Sequence, residues 1–131
     1  MKSAIIEVTV NKPFEEAMNI LRTNIVSNGF IVLHEINTTE ILSKQGIKID
    51  ELRQLLFFHP NYMKDLLDID PLLVNEVPLK FVIRSINQSE TSISISNPKE
   101  SMRDYKGAED LSALLLEKIH LILRACLNLV S

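Results

Sequence analysis

Apolar positions recur along this chain with two periods, and each change of period marks an element. Ser3 to Val10 alternates branched with polar residues, which predicts a half-buried first strand. Phe14, Ala17, Met18, Leu21 and Ile25 then share one face at helical spacing, while Glu15, Glu16, Arg22 and Asn24 take the other. This amphipathic helix spans residues 13–28, with Pro13 in a first turn where its missing N–H costs nothing. Asn28-Gly29 supplies the left-handed stop, and Phe30 to Ile36 follows as a strand of branched and aromatic residues. Strict alternation would put His34 with Phe30, Val32 and Ile36 on the inner side of a sheet or at its border. Asn37 caps the next helix, with Glu40 three residues on to answer it, and the short helix Ile41 to Gln45 closes at Gly46.

Leu55-Leu56-Phe57-Phe58, within the strand Leu52 to Phe58, is apolar on both faces and predicts a central strand covered on two sides. His59-Pro60-Asn61 opens a helix over 60–68 with Met63, Leu66 and Leu67 on its apolar side, and Asp70-Pro71 stops it. A loop runs to Pro78. Leu79 to Ile86 and Thr91 to Ser96 form a hairpin, in which Ile93 and Ile95 alternate with Ser92, Ser94 and Ser96 to leave one wet face. Asn97-Pro98 breaks the pattern, and a polar connection through Arg103, Asp104 and Tyr105 reaches Gly107 and a final helix over 108–130. The order β-α-β-α-β-α-β-β-α predicts an α+β fold with a single mixed sheet of about five strands and helices packed on it.

The final helix is apolar around most of its circumference, leaving a stripe of Glu117, His120, Arg124 and Asn128. Covering a sheet takes one face, so the surplus predicts a homodimer with Leu116, Leu123 and Leu127 at the interface and the charged stripe at its rim. Burial inside the monomer is the competing explanation. Glu117, Lys118, His120 and Arg124 interrupt the run too often for a bilayer span, and the polar side is not cationic, so no membrane partner is expected.

A chain of 131 residues makes one domain, 1–131, able to bury roughly two thirds of its unfolded surface without a metal or disulfide staple. A net charge of −3 with no run of Lys and Arg, and only 5% aromatic residues with no Trp, argue against nucleic acid as a partner. Cys126 is the single cysteine, which excludes an internal disulfide and suits a reducing compartment. Glu7 interrupts the short apolar start and no small-residue cleavage site follows, so the expected location is the cytoplasm.

Candidate chemistry is sparse. His59 stands at a strand-to-helix junction, where free N–H groups and the positive helix end could take a small anionic or polar ligand, with Asn61 and Tyr62 beside it. Plain capping by His59 and Asn61 is the alternative. Three scattered histidines and one cysteine have no metal-ligand spacing, and three glycines leave no room for a phosphate loop, so neither metal nor cofactor is expected. The acidic pairs Glu15-Glu16 and Glu109-Asp110 open helices, where negative charge is favoured. Two function classes stay open: a non-catalytic module binding a small ligand or a protein, and a small enzyme using His59 or His34 as its acid-base group.

From Lys12 to about Met102 the order of these signals resembles the domain of unknown function 302 family. The residues that carry the likeness are Pro13-Phe14 with Glu16-Ala17, Gly29-Phe30-x-Val32-Leu33, Gly46-Ile47, His59-Pro60, Asp70-Pro71, Pro78 and Asn97-Pro98. Where the family pattern has two cysteines this chain has Phe58 and Leu79, which read as core residues, and Val74 replaces a glycine. The resemblance implies a mixed sheet with packed helices, a homodimer and no established activity.

Overall fold

The computed structural model describes residues 4–127. Five strands, β1 (Ile5–Val10), β2 (Ile31–Asn37), β3 (Leu52–Phe58), β4 (Leu79–Asn87) and β5 (Glu90–Ser96), form one sheet in the order β1-β5-β4-β3-β2. Every neighbouring pair is antiparallel, so the sheet is not mixed as expected. Consecutive strands pair from β2 through β5, and β1 closes the other side by crossing back beside β5. The helices are α1 (Phe14–Ser27), α2 (Thr38–Ser43), α3 (Pro60–Ile69), α4 (Pro98–Ser101) and α5 (Glu109–Cys126). Pro71–Glu76 forms a 3₁₀ turn where a loop was expected, because Asp70 accepts from the Leu72 N–H and Pro71 presets the first turn. Asn37 caps α2 as predicted, its side chain accepting from the Glu40 N–H at 3.0 Å.

One face of the sheet carries Val10, Leu55, Phe57, Phe81, Ile83, Ile93 and Ile95, all buried against Met18, Leu21 and Ile25 of α1 and Leu115, Ile119 and Ile122 of α5. Phe57 and Phe81 stack at its centre with ring centroids 4.9 Å apart. Alternation sends Leu52, Gln54, Leu56 and Phe58 to the opposite face, along with Val82 and Arg84, and there all but Arg84, which is exposed, are part-exposed. The expectation of a central strand covered on both sides therefore fails for β3. The middle place belongs to β4, and α2 is the helix that touches the other face, through a bond from Gln54 Nε2 to Thr38 Oγ1. Phe58 is not core, whereas Leu79 is buried.

Strand β2 is bulged between Val32 and His34. The extra residue, Leu33, reverses the parity of the rest of the strand. Val32 pairs with Phe57 on the helix side, but His34 pairs with Leu56 on the open side and is exposed. The inward placement of His34 is thus corrected, since strict alternation does not survive a bulge. Glu35 turns to the helices instead, where Arg22 of α1 grips its carboxylate through Nη2 at 2.8 Å and Arg53 of β3 donates from Nη1 at 3.3 Å.

Candidate functional site

Gly29 ends α1 at φ +89°, and Phe30 drops into the core beside Phe57, their rings edge to face at 5.1 Å. At the far end of β3, His59 precedes Pro60 in extended conformation, and its ring lies against these residues. It meets Phe30 edge to face at 5.1 Å and stacks on Tyr62 of α3 at 4.0 Å. The Nε2 edge abuts Gly29, where a Cβ would stand 2.6 Å away. Nδ1 is buried with no hydrogen-bond partner.

The arrangement differs from both readings of this junction. His59 holds the N-cap position of α3 but its side chain makes no capping bond, and Asn61 is exposed rather than gathered with the ring. His59 and Tyr62 are brought together, over a cavity of about 10 Å³ that is also lined by Phe30, Met63, Leu66, Val77, Leu79 and Leu115. That is space for one water at most. Burial among apolar groups, with a smaller push from Lys118 on α5, lowers the His59 pKa below its ordinary value. The ring is therefore neutral near pH 7, which makes it a hydrogen-bonding group rather than a cation for anions.

The second candidate is the outer side of α5. Leu111, Leu115, Ile119, Ile122, Leu123 and Cys126 are buried, so one turn after another faces the sheet and α1. Leu123 is only 3% exposed and is not available at an interface; the monomer itself covers it, which corrects its assignment as a dimer contact. Leu116 and Leu127 remain part-exposed, and Leu121, which helical spacing did not single out, is 48% exposed. Glu117, His120 and Arg124 are exposed as a stripe, and Asn128 lies outside the described residues.

His120 and Arg124 form a ridge between two shallow depressions. One, about 390 Å³, is lined by Lys99, Ala113, Leu116, Glu117 and Leu121 in addition to the ridge. The other, about 350 Å³, is lined by Ile6 and Val8 of β1 with Leu123 and Leu127. Both are predominantly apolar. The apolar surplus predicted for this helix is thus smaller than its sequence implied, yet it lies where Leu116 and Leu127 were expected to act. Period alone could not find Ile6 and Val8 here, because their strand meets α5 only through the closing of β1 onto β5.

Among the described residues no group of three His, Cys, Asp or Glu side chains is placed to hold a metal ion, and no helix is long and apolar enough to cross a membrane. The Cys126 thiol is buried, and desolvation pushes its pKa up to about 11.

A family model described as "Domain of unknown function DUF302" matches residues 6–129, and the chain belongs to this family. The match extends past the expected 12–102 core to take in β1 and the last helix. The fold is that of a solved structure described as uncharacterized conserved protein DUF302 from Bacillus stearothermophilus, with a TM-score of 0.86 and 21% identity, covering 95% of this chain and 98% of that one. Comparison with curated proteins finds no match.

Proposed function

We propose that this member of the family works as a cytoplasmic, homodimeric and non-catalytic binding module, with the outer side of α5 as its self-association surface. The carrying observation is the pair of apolar depressions flanking His120 and Arg124, with Leu121 exposed and Leu116 and Leu127 part-exposed in the single chain. Burying such side chains between copies is worth about 1.5–3 kcal/mol each when complete. The single reduced cysteine fits the compartment. Light scattering at micromolar concentration should give twice 14.9 kDa. Leu121→Glu should return the monomer mass with an unchanged circular dichroism spectrum, because the residue is exposed in the fold and its carboxylate would be buried only in the dimer. A concentration-independent monomer mass for the unmutated chain refutes the reading.

A small ligand at His59 and Tyr62, with Asn61 at the rim, is favoured by one observation, the buried Nδ1 without a partner. A neutral ring among apolar neighbours suits an uncharged N–H or O–H donor better than an anion. The cavity holds one water at most, so such a ligand has to lift Tyr62 off the ring; acetamide should then shift the His59 and Tyr62 ring resonances together where inorganic phosphate shifts neither. The enzyme alternative needs a second proton-handling group near His59 or His34. Tyr62 meets His59 ring face to ring face, a stacking geometry that does not pass a proton between the phenol and the imidazole, and His34 sits exposed opposite Leu56, so neither histidine favours the enzyme reading.

A further inference from the structure

We infer that the cleft between the 3₁₀ turn Pro71–Glu76 and the adjoining ends of β4 and β5 binds a small α-amino acid as its zwitterion, a site separate from both the α5 surface and the His59 cavity. The cleft holds about 220 Å³. That is the liquid volume of about seven waters at roughly 30 Å³ each, and it falls below the roughly 300–1,000 Å³ of pockets for drug-sized molecules. A small amino acid is the right size.

Its polar groups fall into two sets on different elements. On the sheet, the pairing of Phe81 with Ile95 sets Lys80 opposite Ser96, and both line the cleft as donors. Among the described residues the Lys80 ammonium has no ion pair and the Ser96 hydroxyl no hydrogen bond. On the 3₁₀ turn, Asn75 and Glu76 supply acceptors. Asn75 Nδ2 donates to the Leu72 carbonyl at 3.0 Å, which leaves Oδ1 to accept, and Tyr105 donates its hydroxyl to Glu76 Oε2 at 2.8 Å, which holds the carboxylate and leaves Oε1 to a further donor. Lys80 and Glu76 line one cleft yet do not approach within 4.0 Å, so they form no ion pair. A molecule with a carboxylate and an ammonium of its own answers both at once. A plain anion would meet Lys80 but be repelled by Glu76, and a plain amine would meet Glu76 but be repelled by Lys80, so the pair selects against single charges. Pro78, Leu79 and Ile95 add an apolar lining for an aliphatic side chain.

Titration of the isotope-labelled full chain tests the site, with L-valine, with isovalerate, which lacks the ammonium, and with isobutylamine, which lacks the carboxylate. L-Valine should shift the Lys80 and Ser96 amide resonances saturably with a dissociation constant on the order of 1 mM, and each single-charge analogue should bind about tenfold more weakly or worse. Glu76→Gln keeps an acceptor for Tyr105 while removing the charge, so it should weaken L-valine about tenfold and make isovalerate bind as well as L-valine. Lys80→Met keeps the apolar stem and should likewise bring isobutylamine level with L-valine. Lys80 is exposed and Glu76 part-buried, so both variants should keep the circular dichroism of the parent. Shifts that do not saturate, equal binding of L-valine and isovalerate by the unmutated chain, or an L-valine affinity that either substitution leaves unchanged overturns the inference. So do shifts confined to His59 and Tyr62, which would place the ligand in the other cavity.

Discussion

The Nε2 edge of His59 lies against Gly29 so closely that the two positions form one packing unit across 30 residues of sequence, the ring occupying the space a Cβ at 29 would take. Gly29 therefore serves twice, as the left-handed end of α1 and as the floor under an imidazole clamped between Phe30 and Tyr62.

Gly29→Ala should cost about 2–4 kcal/mol, combining left-handed strain with a clash against a ring that has no free direction to move. Gly46→Ala supplies the control. It shares positive φ, at +77°, but has open space around it, so it should cost only about 1 kcal/mol. Urea unfolding of both, and of Gly29→Ala with His59→Ala, separates strain from clash: the double variant should recover the clash component.

Stability should fall as pH drops from 7 toward 5, in part through His59. Its pKa is lowered in the fold, so the unfolded chain takes up the proton more readily there. The folded state is thus favoured above the ordinary histidine value and loses that advantage as pH falls through the lowered one. Urea midpoints measured across this range should show a smaller loss in His59→Phe, which keeps the stack on Tyr62 without titrating.

Among the described ion pairs Arg53 is the most buried charge. Its side chain is 12% exposed, sits 5.3 Å above the Phe14 ring, and donates to Glu51 at 2.9 Å and to Glu35 at 3.3 Å. Arg53→Ala should cost about 2–4 kcal/mol by chemical denaturation, through lost packing as well as lost charge. Arg53→Lys should lose about 1–2 kcal/mol, because an ammonium cannot hold several carboxylates with a planar fork.

Cys126 should resist thiol reagents at pH 8, since its pKa near 11 and its burial leave almost no accessible thiolate. Reaction with an aromatic disulfide reagent should become fast only in denaturing urea. Fast labelling of the folded chain would mean that the C-terminal end of α5 opens.

Element identity was legible because it depends on neighbours in sequence. The face of α1, the Asn37 cap, the Asn28-Gly29 stop and the β4–β5 hairpin were all readable from local spacing, and each stands where it was expected. The His59 nest was legible only in part. Its residue types suggested a site at a helix start, but Phe30 and Gly29 come to it from another strand end, and no spacing rule connects positions 29 and 59.

What the sequence determined by itself was the set of strands and long helices, because period, caps and breakers act within a few residues; the short α4 (Pro98–Ser101), capped by Asn97, lies where a polar connection was expected. Which face each side chain meets was decided by tertiary structure. A one-residue bulge at Leu33 turned His34 outward and Glu35 inward, and the closing of β1 onto β5 brought Ile6 and Val8 beside Leu123. Burial of Leu123 came from the same packing. Free energy of burial depends on what covers a residue from across the fold, and a helix with apolar residues on nearly every side does not say which of them the sheet will take.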